Sequence, residues 1–249
     1  MITSKDNDLI KHIRSLNQKK YRDEYGEYFI EGIKNVMEAI EESADIKQII
    51  VCDELLQREI ETKNYPVEAT NRKVFESITD TVSPQGILAV LSKCKSTEGY
   101  SDIIFALDDV QDPGNVGTII RTLDCAGIKR LITSSGTADI YNPKVVRSTM
   151  GAIHRINIED NVDLFSKLKE KQGEGYKIIV TTLDTDVYYD GLSFDSKSIV
   201  VVGNESKGIR KEIQEIADIK VKIPLLGKTE SLNAGVAASI IAYEYVRKR

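Results

Sequence analysis

Short apolar runs alternate along the chain with stretches that carry an apolar side chain every three or four residues, a rhythm that predicts strands and helices in turn. Glu27–Ile30 reads as a short strand, Ile33–Glu42 as a helix, Ile46–Cys52 as a strand and Glu54–Thr62 as a helix. Val67–Thr70, a helix around Val74–Ile78 and the apolar strand Gly86–Leu91 complete a small α/β unit. Ser92–Ser101 has no periodicity and reads as a linker. A second series then begins with strand Ile103–Leu107, helix Val116–Ala126, strand Arg130–Thr133, helices Lys144–Met150 and Val162–Lys171, and strand Lys177–Thr181. The wholly apolar Ile199–Val202 has the character of a buried parallel strand, Lys220–Ile223 is a shorter one, and Leu232–Val246 is a long closing helix. The expected division is a domain over 1–95 and another over 96–249.

Composition narrows the function classes. The 249 residues are 41% hydrophobic and 29% charged, the balance of a soluble globular protein. No apolar stretch reaches the length of a membrane span, and the polar start lacks the apolar core of a signal peptide, so a cytoplasmic location is expected. Cys52, Cys94 and Cys125 are too far apart for a zinc site and odd in number for a disulfide framework. With His12 and His154 the only histidines, metal or Ser-His-Asp chemistry has little to work with, and no metal is expected. A formal charge of -5 argues against a sequence-blind polyanion binder. One local exception exists: Lys5, Lys11, Arg14, Lys19, Lys20 and Arg22 face only Asp6 and Asp8 over the first 22 residues. This stretch is a candidate for phosphate contacts, or a solvated helix face that happens to be basic.

Three glycine-marked turns follow predicted strands, where open α/β sheets bind nucleotide-type ligands. In Asp109–Arg121 (DVQDPGNVGTIIR), Pro113 and Gly114 break the chain, Gly117 permits close backbone approach, and Arg121 stands one helical turn above it. A phosphate held by helix-start amides and a guanidinium is one use; a plain turn with a surface arginine is the other. Gly203–Gly208 (GNESKG) mimics P-loop spacing, but Ile209 and Arg210 stand where Lys and Ser/Thr are required, which excludes a Walker-type NTPase. Glu205 reads as a cap for the next helix. In Ile223–Ala238 (IPLLGKTESLNAGVAA), Ser231 and Asn233 open a small-residue helix and can point into a cleft as hydrogen-bonding groups.

Together the three turns resemble the SpoU, or TrmH-like, class of RNA ribose 2′-O-methyltransferases in the SPOUT superfamily. The matching patterns are Asn115, Gly117 and Arg121; Gly203, Asn204, Glu205 and Gly208; and Ile223–Leu225 with Ser231–Asn233. Asn142–Ala152 is similar to the family segment whose Lys and Arg, here Lys144 and Arg147, face the RNA. Tyr28–Ala39 and Val82–Val90 resemble the substrate-binding domain fused to many rRNA-directed members, a small α/β fold related to RNA-binding ribosomal proteins. Gly235 departs from many relatives, which carry Ser or Ala there, and is expected to affect helix packing more than chemistry.

The resemblance implies a parallel-sheet α/β domain with a C-terminal trefoil knot between about Val200 and Ala242, a rare exception to unknotted chains. It implies S-adenosylmethionine as cofactor, held by Thr182, Val202, Gly203, Asn204 and Gly208 together with Ile223, Pro224, Leu225, Ser231 and Leu232. It implies catalysis by Arg121, Asn115, Ser231, Asn233 and Glu205, RNA contacts from Lys11, Arg14, Lys19, Lys20, Arg22, Lys144 and Arg147, and a homodimer. The family assigns the position of Arg121 to activating the hydroxyl. A guanidinium that stays charged is a poor proton acceptor, so clamping phosphate and stabilising a developing alkoxide suits it better. Large-subunit rRNA is the leading substrate. A tRNA-directed or antibiotic-resistance enzyme of the same fold, a non-catalytic RNA-binding assembly factor and a dinucleotide-dependent oxidoreductase are the alternatives.

Overall fold

The computed structural model describes every residue except 57–59, 95, 98, 195 and 196. The chain divides into two compact units, one of residues 1–94 with 141–154, the other of residues 95–140 with 155–249.

In the first unit, α1 (Asp8–Ser15) starts at Asn7, whose side chain accepts the Leu9 N–H, and Ile10, Ile13 and Leu16 fall on its buried face. After α2 (Lys19–Tyr25) come β1 (Glu27–Glu31), α3 (Ile33–Glu41), β2 (Ile46–Val51), β3 (Val67–Ala69), α4 (Arg72–Phe75) and β4 (Ile87–Ser92). The sheet order is β1-β4-β2-β3, with β4 antiparallel to both of its neighbours. That central place explains why β4 is apolar on both faces. Phe29, Ile50, Phe75, Leu88 and Val90 form the core with α1. The helix expected over Glu54–Thr62 falls partly on 57–59, outside the described residues; 53–55 form a turn and 60–62 have no regular structure.

The second unit carries β5 (Ile103–Asp108), α5 (Pro113–Cys125) and β6 (Arg130–Ser134). Next the chain forms α6 (Pro143–Thr149) within the first unit, then returns for β7 (Asn157–Val162), α7 (Leu164–Gly173), β8 (Lys177–Thr181), β9 (Ser198–Gly203), α8 (Lys211–Glu215), β10 (Ile219–Val221) and α9 (Ala234–Lys248). All six strands are parallel, in the order β10-β8-β9-β5-β6-β7. The central β5 and β9 are buried throughout, as parallel strands covered on both faces must be. Ile104, Ala106, Ile199 and Val201 pack beneath α7 and α8, while α9 lies against β9 and α5.

Three features depart from expectation. The strand β7 (NIEDNV) has no hydrophobic alternation, because it is an edge strand paired only with β6 and half-exposed. The helix α6 belongs with the first unit. There Arg147 bridges the buried Glu31 and Asp80, each at 2.8 Å, and the close approach of Gly151 (φ 87°) to the Glu38 side chain leaves no room for a Cβ. The short α8 was hidden in a charged stretch. Among the described residues no helix is long and apolar enough to cross a membrane.

Candidate active site

Strands β5 and β9 end side by side, with Asp108 opposite Gly203 in register, and the loops that leave them carry the first two motifs. After β5 the chain turns at Asp109, a non-glycine residue in the left-handed region (φ 58°) whose N–H is held by Ser134 Oγ at 2.8 Å. Asp112 caps α5 by accepting the Asn115 N–H at 2.8 Å, and Pro113 comes next at the first helical position, where no donor is lost. After β9, the Asn204 amide donates to the Asp109 carbonyl at 2.8 Å while its Oδ1 accepts the N–H groups of Ser206 and Lys207. The turn then closes with reciprocal Asn204–Gly208 backbone bonds.

Glu205 reaches backward from this turn and does not cap the helix after it. Its carboxylate accepts the backbone N–H groups of Gln111 and Asp112 at 3.2 Å each and the Asn115 Nδ2 at 2.8 Å, so it satisfies donors at the entry to α5. Burial pushes the Glu205 carboxyl up, but the bonds from Asn115 and from the backbone of Glu205, Gln111 and Asp112 outweigh it and hold the group below the usual carboxylate range. Asn115, only 8% exposed, passes the chain on: its Oδ1 accepts Asn233 Nδ2 at 2.7 Å. Asn233 in turn caps α9 by accepting the Val236 N–H at 3.2 Å. Three segments far apart in sequence are thus joined as Glu205–Asn115–Asn233, one residue from each motif.

The same loops enclose a cleft of about 580 Å³ at the carboxyl ends of β8 and β9. Thr182, Val202, Gly203, Asn204 and Gly208 line it, as do Ile223, Leu225, Ser231 and Leu232. Pro224 is absent from the lining. Sequence reading missed Thr181, Leu183 and Asp184 on the β8 side; the rule that ligands sit outside the carboxyl ends of strands could have found them. Asn204 faces the cleft with both ends of its amide already engaged, which makes it a shaping residue.

Arg121 is exposed on α5, six residues and about 9 Å of helix rise beyond Asn115, and is not part of the cleft lining. Its guanidinium and the Ser231 hydroxyl make no hydrogen bond or ion pair among the described residues. Gly235 is buried where α9 packs on α5; a Cβ there would stand 3.2 Å from Asn233 Oδ1 and 3.3 Å from Thr118 Cγ2.

The basic residues separate into two kinds. Lys11, Arg14, Lys19, Lys20 and Lys144 are exposed, with Arg14 donating to Ser77. Arg22 is 2% exposed, its guanidinium spent on the carbonyls of Leu16 and Asn17 at 2.7 and 2.9 Å, which removes it from any RNA surface. Arg147 is likewise committed to Glu31 and Asp80. Arg22 is thus a buried structural arginine that sequence alone could not tell from a surface one, whereas Arg147 keeps about 30% of its side chain exposed beside its two ion pairs.

Among known proteins, the family model described as the SpoU rRNA Methylase family matches residues 102–243, and the MRM3-like substrate binding domain matches residues 7–89. The chain is 34% identical to the 23S rRNA (guanosine(2553)-2′-O)-methyltransferase RlmP of Bacillus subtilis, over 97% of each chain. The solved structure of an AdoMet-bound rRNA methyltransferase from Sinorhizobium meliloti superposes with a TM-score of 0.89 at 31% identity, covering 99% of this chain and 97% of that one. The SpoU methyltransferase AviRb from Streptomyces viridochromogenes, in complex with AdoMet, shares the fold at a TM-score of 0.85 and 24% identity, over 97% of this chain and 98% of that one.

Proposed function

The chain belongs to the SpoU rRNA methylase family and is an RNA 2′-O-methyltransferase that uses S-adenosylmethionine, and we propose that its substrate is large-subunit ribosomal RNA. In this reading the enzyme is a cytoplasmic homodimer, with residues 1–95 choosing the RNA and 96–249 carrying methyl transfer. The observation that carries the site assignment is the Glu205–Asn115–Asn233 chain set beside the cleft that Ser231 also lines.

The residues fit an adenosyl sulfonium. The cleft volume lies within the roughly 300–1,000 Å³ of small-ligand sites. Val202, Ile209, Leu225 and Leu232 offer apolar walls to a purine, and Gly203 brings main chain to the cleft wall. When bound, the cofactor supplies an electrophilic methyl on a neutral leaving group. What remains for the protein is alignment of the ribose and care of one proton. Ser231 and the second amide hydrogen of Asn233 orient the ribose; Asn115, bound to Glu205 through Nδ2 and to Asn233 through Oδ1 and 8% exposed, positions Asn233 rather than touching the ribose. Arg121 stays charged, grips the neighbouring phosphate and stabilises the developing alkoxide, while the proton leaves through phosphate or water.

Two features support the finer parts of the proposal. Arg121 stands outside the lining of its own cleft, so it serves the cleft of the partner subunit; Val236, Tyr243 and Val246, exposed on α9, are the apolar face that a second copy covers. The trefoil knot is supported by the return of the chain from the edge strand β10 to α9. That return lines one cleft with the loops after β8 and β9.

Isothermal titration with S-adenosylhomocysteine tests the cofactor site, with NAD as the counter-ligand; binding of NAD alone would overturn it. Arg121→Ala is expected to lose about a hundredfold or more in turnover with the affinity for S-adenosylhomocysteine kept. Arg121→Lys keeps charge without the planar fork, and near-wild-type turnover would remove the bidentate grip. Mapping 2′-O-methyl sites across ribosomal RNA and tRNA with and without the gene tests the substrate. The expected result is one lost site in large-subunit rRNA; an unchanged map refutes it.

A further inference from the structure

The loop that lines the cleft with residues 203–209 has tethers beyond the motif residues. Asp108, the last residue of β5, is fully buried, and its carboxylate accepts both the backbone N–H of Arg210 at 2.8 Å and the Arg210 Nε at 2.7 Å. The backbone of Asp108 is at the same time the register partner of Gly203. One residue therefore fixes both ends of the loop, the entry through the sheet and the exit through its side chain. The loop has no slack to take up an error. A Cβ on Gly203 would come within 2.4 Å of the Gly208 carbonyl carbon and 2.5 Å of the Ile209 nitrogen.

A fully buried carboxylate is costly unless it is paired and hydrogen-bonded, and an apolar pair of similar size often gives equal or greater stability. An ion pair in this position is better explained by the geometry it imposes than by stability alone. Arg210 is half-exposed and its Nη1 also reaches Glu212 Oε1 at 3.0 Å, which holds the guanidinium from the solvent side. Ile209, the last loop residue in the cleft wall, immediately precedes Arg210 and is buried in the core beneath the sheet.

We propose that Asp108 and Arg210 form a latch that sets the shape of the 203–209 loop, making them positioning residues for the affinity of the cofactor rather than for the chemical step. The proposal rests on the reading of the cleft as the S-adenosylmethionine site. Without the guanidinium the buried carboxylate draws in water, the Arg210 end of the loop loosens, and the wall at Gly208 and Ile209 moves away from the ligand. The Glu205–Asn115–Asn233 chain, anchored at the other end of the loop, keeps its bonds.

The test uses full-length protein. Arg210→Gln is expected to raise the dissociation constant for S-adenosylhomocysteine and the KM for S-adenosylmethionine at least tenfold. Its kcat at saturating cofactor is expected to stay within threefold of wild type. The double variant D108N/R210Q, which replaces the ion pair by a neutral amide pair, should recover cofactor affinity to within threefold. A folded Arg210→Gln protein whose affinity stays within twofold of wild type overturns the latch, as does a loss confined to kcat. If Arg210→Gln does not fold, Asp108→Asn carries the same expectation and the same refutation. Wild-type protein that binds no S-adenosylhomocysteine overturns the cleft assignment and the latch with it, so the two failures are told apart by the unmutated control.

Discussion

Replacing Asn115 by Asp changes one atom and inverts the logic of the hydrogen-bonded chain. Nδ2 now donates to Glu205 Oε1 at 2.8 Å, and an aspartate would set two carboxylates against each other at that contact. The Asp112 carboxylate lies next to them, bound to the Asn115 N–H. Two unit charges about 4 Å apart repel by about 4 kcal/mol at an effective dielectric of 20, and solvent screening at the partly open Glu205 roughly halves this. The pair escapes by holding one proton, so its upper titration moves well above the ordinary carboxylate range. A group whose folded-state pKa is raised contributes stability at low pH that is lost as pH rises through the raised value. Asn115→Asp should therefore melt close to wild type near pH 5. By pH 8 it should fall about 4–8 °C below, the shift expected of ~2 kcal/mol in a protein of this size. Turnover should fall in step, about ten- to thirtyfold down at pH 8 and recovering on acidification relative to wild type. Differential scanning fluorimetry and single-turnover methylation across that range supply both readouts. A melting deficit that does not change with pH, or full activity at pH 8, would refute the claim that Asn115 holds Glu205 and Asn233 together.

Three further substitutions have defined outcomes. Gly203→Ala must push a methyl into the backbone of Gly208 and Ile209, at a cost of about 1–3 kcal/mol, and calorimetry should show cofactor affinity falling more than tenfold. Arg22→Ala leaves the Leu16 and Asn17 carbonyls without their buried donor and should cost about 1–3 kcal/mol in thermal unfolding. Lys20→Ala should leave stability unchanged, weaken RNA binding in a filter assay and reduce its salt slope by about one. Equal effects of the two substitutions on RNA binding would reverse that division of roles.

How much of the fold and the site was legible in the sequence depended on what each signal records. Buried parallel strands announce themselves because both faces must be apolar, so β5 and β9 could be read, whereas β7 at the sheet edge carries no such constraint. Asn115, Glu205 and Asn233 stood out as polar residues in glycine-marked turns or at a helix start. Their bonding was not legible, and Glu205 proved to hold the turn that leads into α5, more than ninety residues before it, rather than to cap the helix after it. A basic residue in a sequence records charge without burial, which is why the buried Arg22 reads like an RNA contact. Arg210 was noticed only as the residue that spoils a P-loop, because its partner Asp108 is distant in sequence and adjacent only through the register of β5 and β9.

The membership of residues 141–154 in the first unit has a consequence for how such a protein can be taken apart or recombined. The polypeptide passes from one unit to the other at three places, near residues 94, 140 and 154, so no single cut yields two complete pieces. A gene split near residue 95 would deliver a first half lacking α6, with Glu31 stripped of the arginine that neutralises it. Exchange of the first unit between enzymes of this architecture would have to carry residues 141–154 as a short internal cassette along with residues 1–94. A swap of that kind takes three coordinated junctions where an ordinary tandem arrangement needs one.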